Sequence, residues 1–197
     1  MNVFVVYAHP SDNSFTYLAK EEFIRGLTDA GHSVEVSDLY KMNFNEVFSE
    51  SEYLREAFYD ESADVPQDVL DEQAKINAAD AIVFIYPVFW TEAPSKLVGW
   101  FQRVWTYGFA YGQSPKMKQL DKALFLVTMG GSLCDEVRKQ QAEAMKTVML
   151  GDRINCRAKE KQMIFFDEMT RGYGNDGHRA ENQEKFLKQV YKIGLEF

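Results

Sequence analysis

AIVFIYPVFWTEAPSKLVGWFQRVW, residues Ala81 to Trp105, is the stretch whose reading decides the fold. Its first six residues, Ala81 to Tyr86, form an unbroken apolar run with β-branched members, the pattern of a strand covered on both faces. Pro87 lacks the N–H that a sheet ladder needs, so the strand is expected to give way there to a loop carrying Val88, Phe89 and Trp90. A helix is expected from Pro94 onward. A large flat aromatic, Trp90, then stands at the carboxyl end of a central strand, the edge at which open α/β sheets bind ligands.

The same alternation extends in both directions. Val3 to Ala8 is a buried strand opening into the turn formers His9-Pro10-Ser11-Asp12-Asn13-Ser14. A helix follows with Phe15, Leu18, Ala19, Phe23, Leu27 and Ala30 on one face and Gly31 as its stop. Ser33 to Ser37 alternates like a strand near a sheet edge, and Val69 to Ala79 reads as a helix leading into Asp80 and the central strand. Beyond it, Ser95 to Tyr107 is helical, with Leu97, Trp100, Phe101, Val104 and Trp105 at helical spacing; this aromatic stripe is expected to be core, with a subunit interface as the sharper alternative. Lys122 to Val127 is a fourth buried strand ending in Thr128-Met129-Gly130-Gly131, where glycines permit close backbone approach to a ligand. A helix over Cys134 to Leu150, a strand over Gln162 to Glu168 and a helix over Ala180 to Ile193 complete the chain. Five strands with intervening helices specify an α/β, doubly wound parallel sheet, and five suit the flavodoxin-like order 2-1-3-4-5.

The 197 residues are expected to form a single domain with an excursion at about 41–71. Between Glu50 and Glu72 nine carboxylates face one cation, Arg55; at such irregular spacing they are expected to be a solvated face. A net charge of -8 argues against nucleic-acid or anionic-membrane partners, both of which need a basic face. Cys134 and Cys156 stand apart and only three histidines occur, so neither a disulfide framework nor a zinc site is indicated. No apolar run approaches the roughly 20 residues of a membrane span, so no membrane insertion is expected. Met1 leads straight into a strand without the regions of a signal peptide, and a cytoplasmic protein is expected.

Gly172-Tyr-Gly174-Asn-Asp-Gly177 satisfies G-x-G-x-x-G, but no strand follows its helix and no acidic residue stands about 20 positions onward to hold a ribose. It is expected to be a glycine-rich surface loop. No Walker loop, nucleophile elbow or acidic phosphoacceptor pair is present. The chemistry-bearing loops are those after strands one, three and four. His9 to Thr16 supplies an imidazole, hydroxyls and a helix start suited to a phosphate; Pro87 to Thr91 supplies an aromatic wall; Thr128 to Gly131 supplies backbone donors.

Several segments together carry a resemblance: the His9 loop with Ser14-Phe15, Ser37-Asp38-Leu39-Tyr40 with Met42-Asn43-Phe44, Ala78-Ala79-Asp80, Pro87-x-x-Trp90 with Pro94, Lys96-Leu97-x-Gly99-Trp100-Phe101-x-Arg103-Val104 and Gly108-Phe109-Ala110-Tyr111. In this order, over residues 1 to about 131, the chain resembles the flavodoxin-fold NAD(P)H:quinone oxidoreductases. The resemblance implies a non-covalent flavin. His9, Ser14, Phe15 and Thr16 would meet its phosphate region, Pro87, Val88, Phe89, Trp90 and Thr91 would border its ring, and Thr128, Met129, Gly130 and Gly131 would bind the ring and ribityl chain. It implies a homodimer and a two-electron, ping-pong transfer from NAD(P)H to a quinone-like acceptor. No side chain is assigned as a catalytic acid or base. An electron carrier or a flavin-containing accessory subunit of a transporter is the alternative.

After Gly131 the resemblance fades: Ser132-Leu133-Cys134-Asp135-Glu136 continues, and no histidine occurs before His178 to match the family's relay. The excursion over Lys41 to Asp71 resembles the part that shelters adenosine in FAD-binding relatives, whereas the Tyr111 to Lys122 segment is short; FAD is expected, with FMN as the alternative. Arg153, Arg157, Lys159 and Lys161 form the densest basic cluster, expected to be a solvated face, with the extra phosphate of NADPH as the competing reading.

Overall fold

Alternation along each strand explains the unbroken apolar runs. The computed structural model describes residues 1–197. Strands β1 (Asn2–Tyr7), β2 (Ser33–Asp38), β3 (Ala81–Pro87), β4 (Leu120–Thr128) and β5 (Ala158–Phe166) form one sheet in the order β2-β1-β3-β4-β5. Every neighbouring pair is parallel. Phe4, Val6, Ile82, Phe84 and Phe125 point into one apolar cluster, and Val3, Val5, Tyr7, Val83 and Ile85 into a second. A strand buried on both faces has no polar side for the sequence to mark.

Helices α1 (Phe15–Asp29) and α6 (Asp176–Leu195) cover the second cluster. The first lies under α3 (Gln67–Ala78), α4 (Ser95–Val104) and α5 (Glu136–Lys146). In α4 the residues Leu97, Trp100, Phe101 and Val104 are buried within the chain, so these four are core, whereas Trp105, just past the helix end, is half-buried. Phe84 stacks on Phe125 at 4.7 Å and meets Trp100 edge-on at 5.7 Å.

Several boundaries differ from those expected. Pro87 is the last residue of β3, paired with Thr128, and the ladder bond there comes from the next amide, Val88, which donates to the Thr128 carbonyl. β5 begins at Ala158, well before Gln162, since an edge strand tolerates the exposed polar run Lys159 to Gln162. α4 stops at Val104 because Arg55 and Glu56 take the backbone groups of Tyr107. α5 starts later than expected, at Glu136, where the Asp135 carboxylate caps it by accepting from the Arg138 amide. It then runs on through a π-helical turn over Thr147–Ile154, past Gly151.

The excursion contains α2 (Glu50–Ala57), opened by a capping box of Ser49 and Glu52. Its carboxylates are not all solvated. Glu52 and Asp68 hold the buried Arg103 guanidinium, and the fully buried Glu72 accepts from Ser37, Lys75 and the Trp100 indole. The irregular spacing of the acidic residues thus conceals internal anchors.

Candidate flavin site

Parallel strands bring all their carboxyl ends to one edge, and four loops meet there. The loop after β1 ends where Ser14 caps α1, its Oγ accepting from the Tyr17 amide at 3.0 Å. The Phe15 and Thr16 amides of that first turn have no intrahelical acceptor and are the natural donors for an anion. A buried hydrogen bond of 2.7 Å between the Thr16 and Thr128 hydroxyls ties this turn to the end of β4. The Val88 amide donates to the Thr128 carbonyl at 2.8 Å, fixing the third loop against the same residue.

Between them lies a cavity of about 370 Å³ lined by His9, Asn13, Ser14, Phe15, Thr16, Pro87, Val88, Phe89, Thr128, Met129, Gly130, Met169, Arg171 and Arg179. Ten of the thirteen residues singled out in the sequence therefore share one cavity. Trp90, Thr91 and Gly131 do not line it. Phe89 and Glu92 exchange both backbone hydrogen bonds, at 2.8 and 3.0 Å, which makes Trp90 and Thr91 the central pair of a tight hairpin with φ of 54° and 65°. The Trp90 indole is wholly exposed at its tip, so it is not a core tryptophan. A β-branched residue in the left-handed region is strained, and such strain collects at ligand sites.

Electrostatics favour an anion at one end. Burial, and beyond it the Arg171 charge, pull the His9 pKa below the usual imidazole value. The Ser11 amide donates to Nδ1 at 3.0 Å, so the neutral ring carries its proton on Nε2, available to a ligand. A Cβ at Gly130 would lie 2.5 Å from the Thr170 hydroxyl, which would have to turn away to admit it.

Arg171 and Arg179 are the residues that the sequence reading missed. They flank the Gly172 loop, which is itself an open turn with φ of 72° and 79° at Gly172 and Gly174. Arg171 donates to the Asn13 carbonyl at 3.0 Å and Arg179 to that of Met169 at 3.2 Å. The signal was available: β5 ends at the same edge as the other strands, so its loop belongs with theirs. His178, beside Arg179, hydrogen-bonds Glu168 at 2.7 Å, and that partnership holds the Glu168 carboxyl below the usual carboxylate range. The Glu168 amide donates to Gly131, so this pair braces the glycine loop.

A cavity with a cationic end, an aromatic side and a glycine floor fits a flavin nucleotide. The family model described as flavodoxin-like fold matches residues 1–190. The chain belongs to this flavodoxin-like family. Among curated relatives of the family, NAD(P)H dehydrogenase (quinone) 1 of Rattus norvegicus is 35% identical over 145 residues, 65% of this chain and 53% of that protein. Ribosyldihydronicotinamide dehydrogenase (quinone) of Homo sapiens is 34% identical over 149 residues, 66% of this chain and 64% of that protein. The chain thus spans between half and two thirds of the length of these relatives. A solved NAD(P)H:quinone oxidoreductase from Methanothermobacter marburgensis superposes with a TM-score of 0.90 at 39% identity, covering 99% of this chain and 94% of that one.

Proposed function

We propose that the protein is a flavin-dependent NAD(P)H oxidoreductase that passes two electrons to quinones or similar acceptors in ping-pong fashion. The observation that carries this reading is the single cavity at the carboxyl edge, where the α1 amide donors, His9, Arg171 and Arg179 face the aromatic and glycine loops. The names of the relatives support the choice of acceptor class. Bound flavin supplies reversible hydride chemistry, which leaves binding and orientation to the protein. In this reading His9 Nε2–H, the Phe15 and Thr16 amides and the two guanidiniums hold the phosphate. Pro87, Val88 and Phe89 wall the ring, Gly130 and Gly131 offer it backbone amides, the Met129 amide being committed to the Phe166 carbonyl at 2.9 Å, and Trp90 closes over it.

FAD is the proposed nucleotide. No residue of the excursion lines the cavity, so FMN, the flavin named with two solved neighbours of the fold, is the competing outcome. A homodimer is proposed because large apolar side chains of the excursion, Tyr53, Leu54, Phe58 and Tyr59, are exposed, as is Trp90. No helix is long and apolar enough to cross a membrane. Two exposed free cysteines, Cys134 and Cys156, fit the reducing cytoplasm that we propose as its location.

The test is direct. Purified protein is expected to carry a flavin absorbance band, to release FAD on denaturation, and to be bleached anaerobically by NADPH or NADH and reoxidised by quinones with parallel-line kinetics. Protein that stays colourless after incubation with FAD and FMN, or that is not bleached by either donor, overturns the reading. Trp90→Ala is expected to weaken flavin retention or slow bleaching.

A further inference from the structure

We propose that a second cavity, between α4 and the π-helical turn, binds the 2′-phosphorylated adenosine end of NADPH, with Arg153 and Arg157 as the ligands of the phosphate. The identity of the nucleotide rests on the oxidoreductase reading; the chemistry of the cavity does not. It measures about 480 Å³ and shares no lining residue with the flavin cavity.

The basic cluster of the sequence divides here. Lys159 pairs with Asp121 at 2.6 Å, and Lys161 donates to the Asn155 carbonyl at 2.8 Å. Arg153 and Arg157 instead line the cavity, half-buried, and so are not the solvated face expected for them. Their guanidiniums lie over aromatic rings, Arg153 at 4.9 Å from Phe101 and Arg157 at 5.8 Å from Trp105. The π-helical turn and the left-handed Asn155, φ 47°, bring the two together: Arg157 Nη1 donates to the Arg153 carbonyl at 3.3 Å. Such turns are rare and recur at functional sites.

Both cations keep unused donors. Arg157 commits Nε to the Ala110 carbonyl at 2.8 Å and Nη1 to backbone carbonyls, and its Nη2 has no protein acceptor. Arg153 has only the Met149 sulfur at 3.3 Å and a loose approach to Glu92 at 3.7 Å. Burial pulls the Arg157 pKa down, the mark of a cation without enough compensation. Tyr86, buried with its hydroxyl unpaired, has its pKa raised by that burial, against which the Arg153 charge acts. The exposed Asp152 carboxylate at the rim opposes an anion, so both guanidiniums are needed. A planar fork with free N–H groups matches a phosphate, and the Trp105 and Tyr111 rings offer faces for a base. Glu92 closes the hairpin that presents Trp90, so the cavity adjoins the proposed flavin wall.

Calorimetry with 2′,5′-ADP and 5′-AMP tests the cavity on the whole chain, with or without flavin. The 2′-phosphorylated nucleotide is expected to bind at least about tenfold more tightly, an advantage lost in Arg153→Gln, as fits one charged hydrogen bond. Glu92→Gln, which frees Arg153, is expected to strengthen 2′,5′-ADP binding, and Lys159→Gln to leave it unchanged. With flavin bound, the NADPH-to-NADH ratio of bleaching rates is expected to fall about tenfold in Arg153→Gln. Equal binding of the two nucleotides, or a preference that survives Arg153→Gln, overturns the proposal, and binding of an anionic aromatic acceptor in place of 2′,5′-ADP does so as well. Protein that takes up no flavin yet binds 2′,5′-ADP through Arg153 defeats the oxidoreductase reading alone. Equal bleaching by both donors, unaltered in Arg153→Gln, defeats the cavity alone.

Discussion

At the scale of single residues, His9 joins sequence, burial and chemistry most closely. Its pKa is depressed in the folded chain, so below about pH 6.5 the unfolded state takes up a proton that the native state resists. Stability is therefore fully kept above the unfolded value and declines as pH falls toward the folded one. A bound phosphate reverses the balance by favouring the imidazolium. Following the His9 ring proton by NMR is expected to give a pKa below 6.5 in the free protein that rises on adding inorganic phosphate; a free-protein value at or above 6.5 would sink the argument. His9, like Ser14, Phe15 and Thr16, was legible in the sequence because turn formers after a buried strand and before a helix have few other uses. Arg171 and Arg179 were legible only through topology, because nothing in their own segment marks a ligand and only the place of their loop after a fifth parallel strand puts them at the same edge. The exposure of Trp90 was not legible, because it depends on the Phe89–Glu92 pairing and not on the indole itself.

At the scale of elements, all five strands were legible, because apolar runs of strand length between turn formers leave little choice. Ends fared worse wherever tertiary context overrules periodicity, as at the polar start of β5 and the π-helical continuation of α5. Two glycines inside helices, Gly26 in α1 and Gly194 in α6, show what local propensity omits. A Cβ at Gly26 would lie 2.3 Å from the Tyr191 carbonyl oxygen, and one at Gly194 would lie 2.4 Å from that of Phe23. The helices thus meet backbone to backbone, with no flexible side chain to yield. Propensity alone makes Gly26→Ala stabilising by about 1 kcal/mol. Packing predicts the opposite sign, a loss of about 1–3 kcal/mol. Thermal unfolding decides: the midpoint is expected to drop, by roughly 2–4 °C per kcal/mol for a chain of this size, and a rise would show that the helices can separate without cost.

At the scale of the whole molecule, the question is whether the excursion is an appendage or part of one cooperative body. Arg103, buried in α4, donates to Glu52 at 2.6 Å and to the Asn45 carbonyl at 2.7 Å, and also pairs with Asp68. Lys96 of the same helix reaches the Phe44 carbonyl at 2.7 Å and Glu46 at 2.8 Å. A Cβ on Gly99 would strike the Glu46 backbone at 2.3 Å, so the segment lies directly on the helix. These contacts make residues 1–197 a single unit in our reading, with the excursion fastened to the helix that follows the central strand. Arg103→Met leaves Glu52 buried without its partner and is expected to lose about 3–5 kcal/mol. Pairing it with Glu52→Leu removes the stranded charge and is expected to recover much of that loss. Urea unfolding followed by fluorescence and by far-UV dichroism separates the two pictures. One body gives a single transition by both probes, displaced to lower urea in Arg103→Met. An appendage gives an early separate transition while the sheet unfolds where it did before, and that outcome would divide the chain into two stability units.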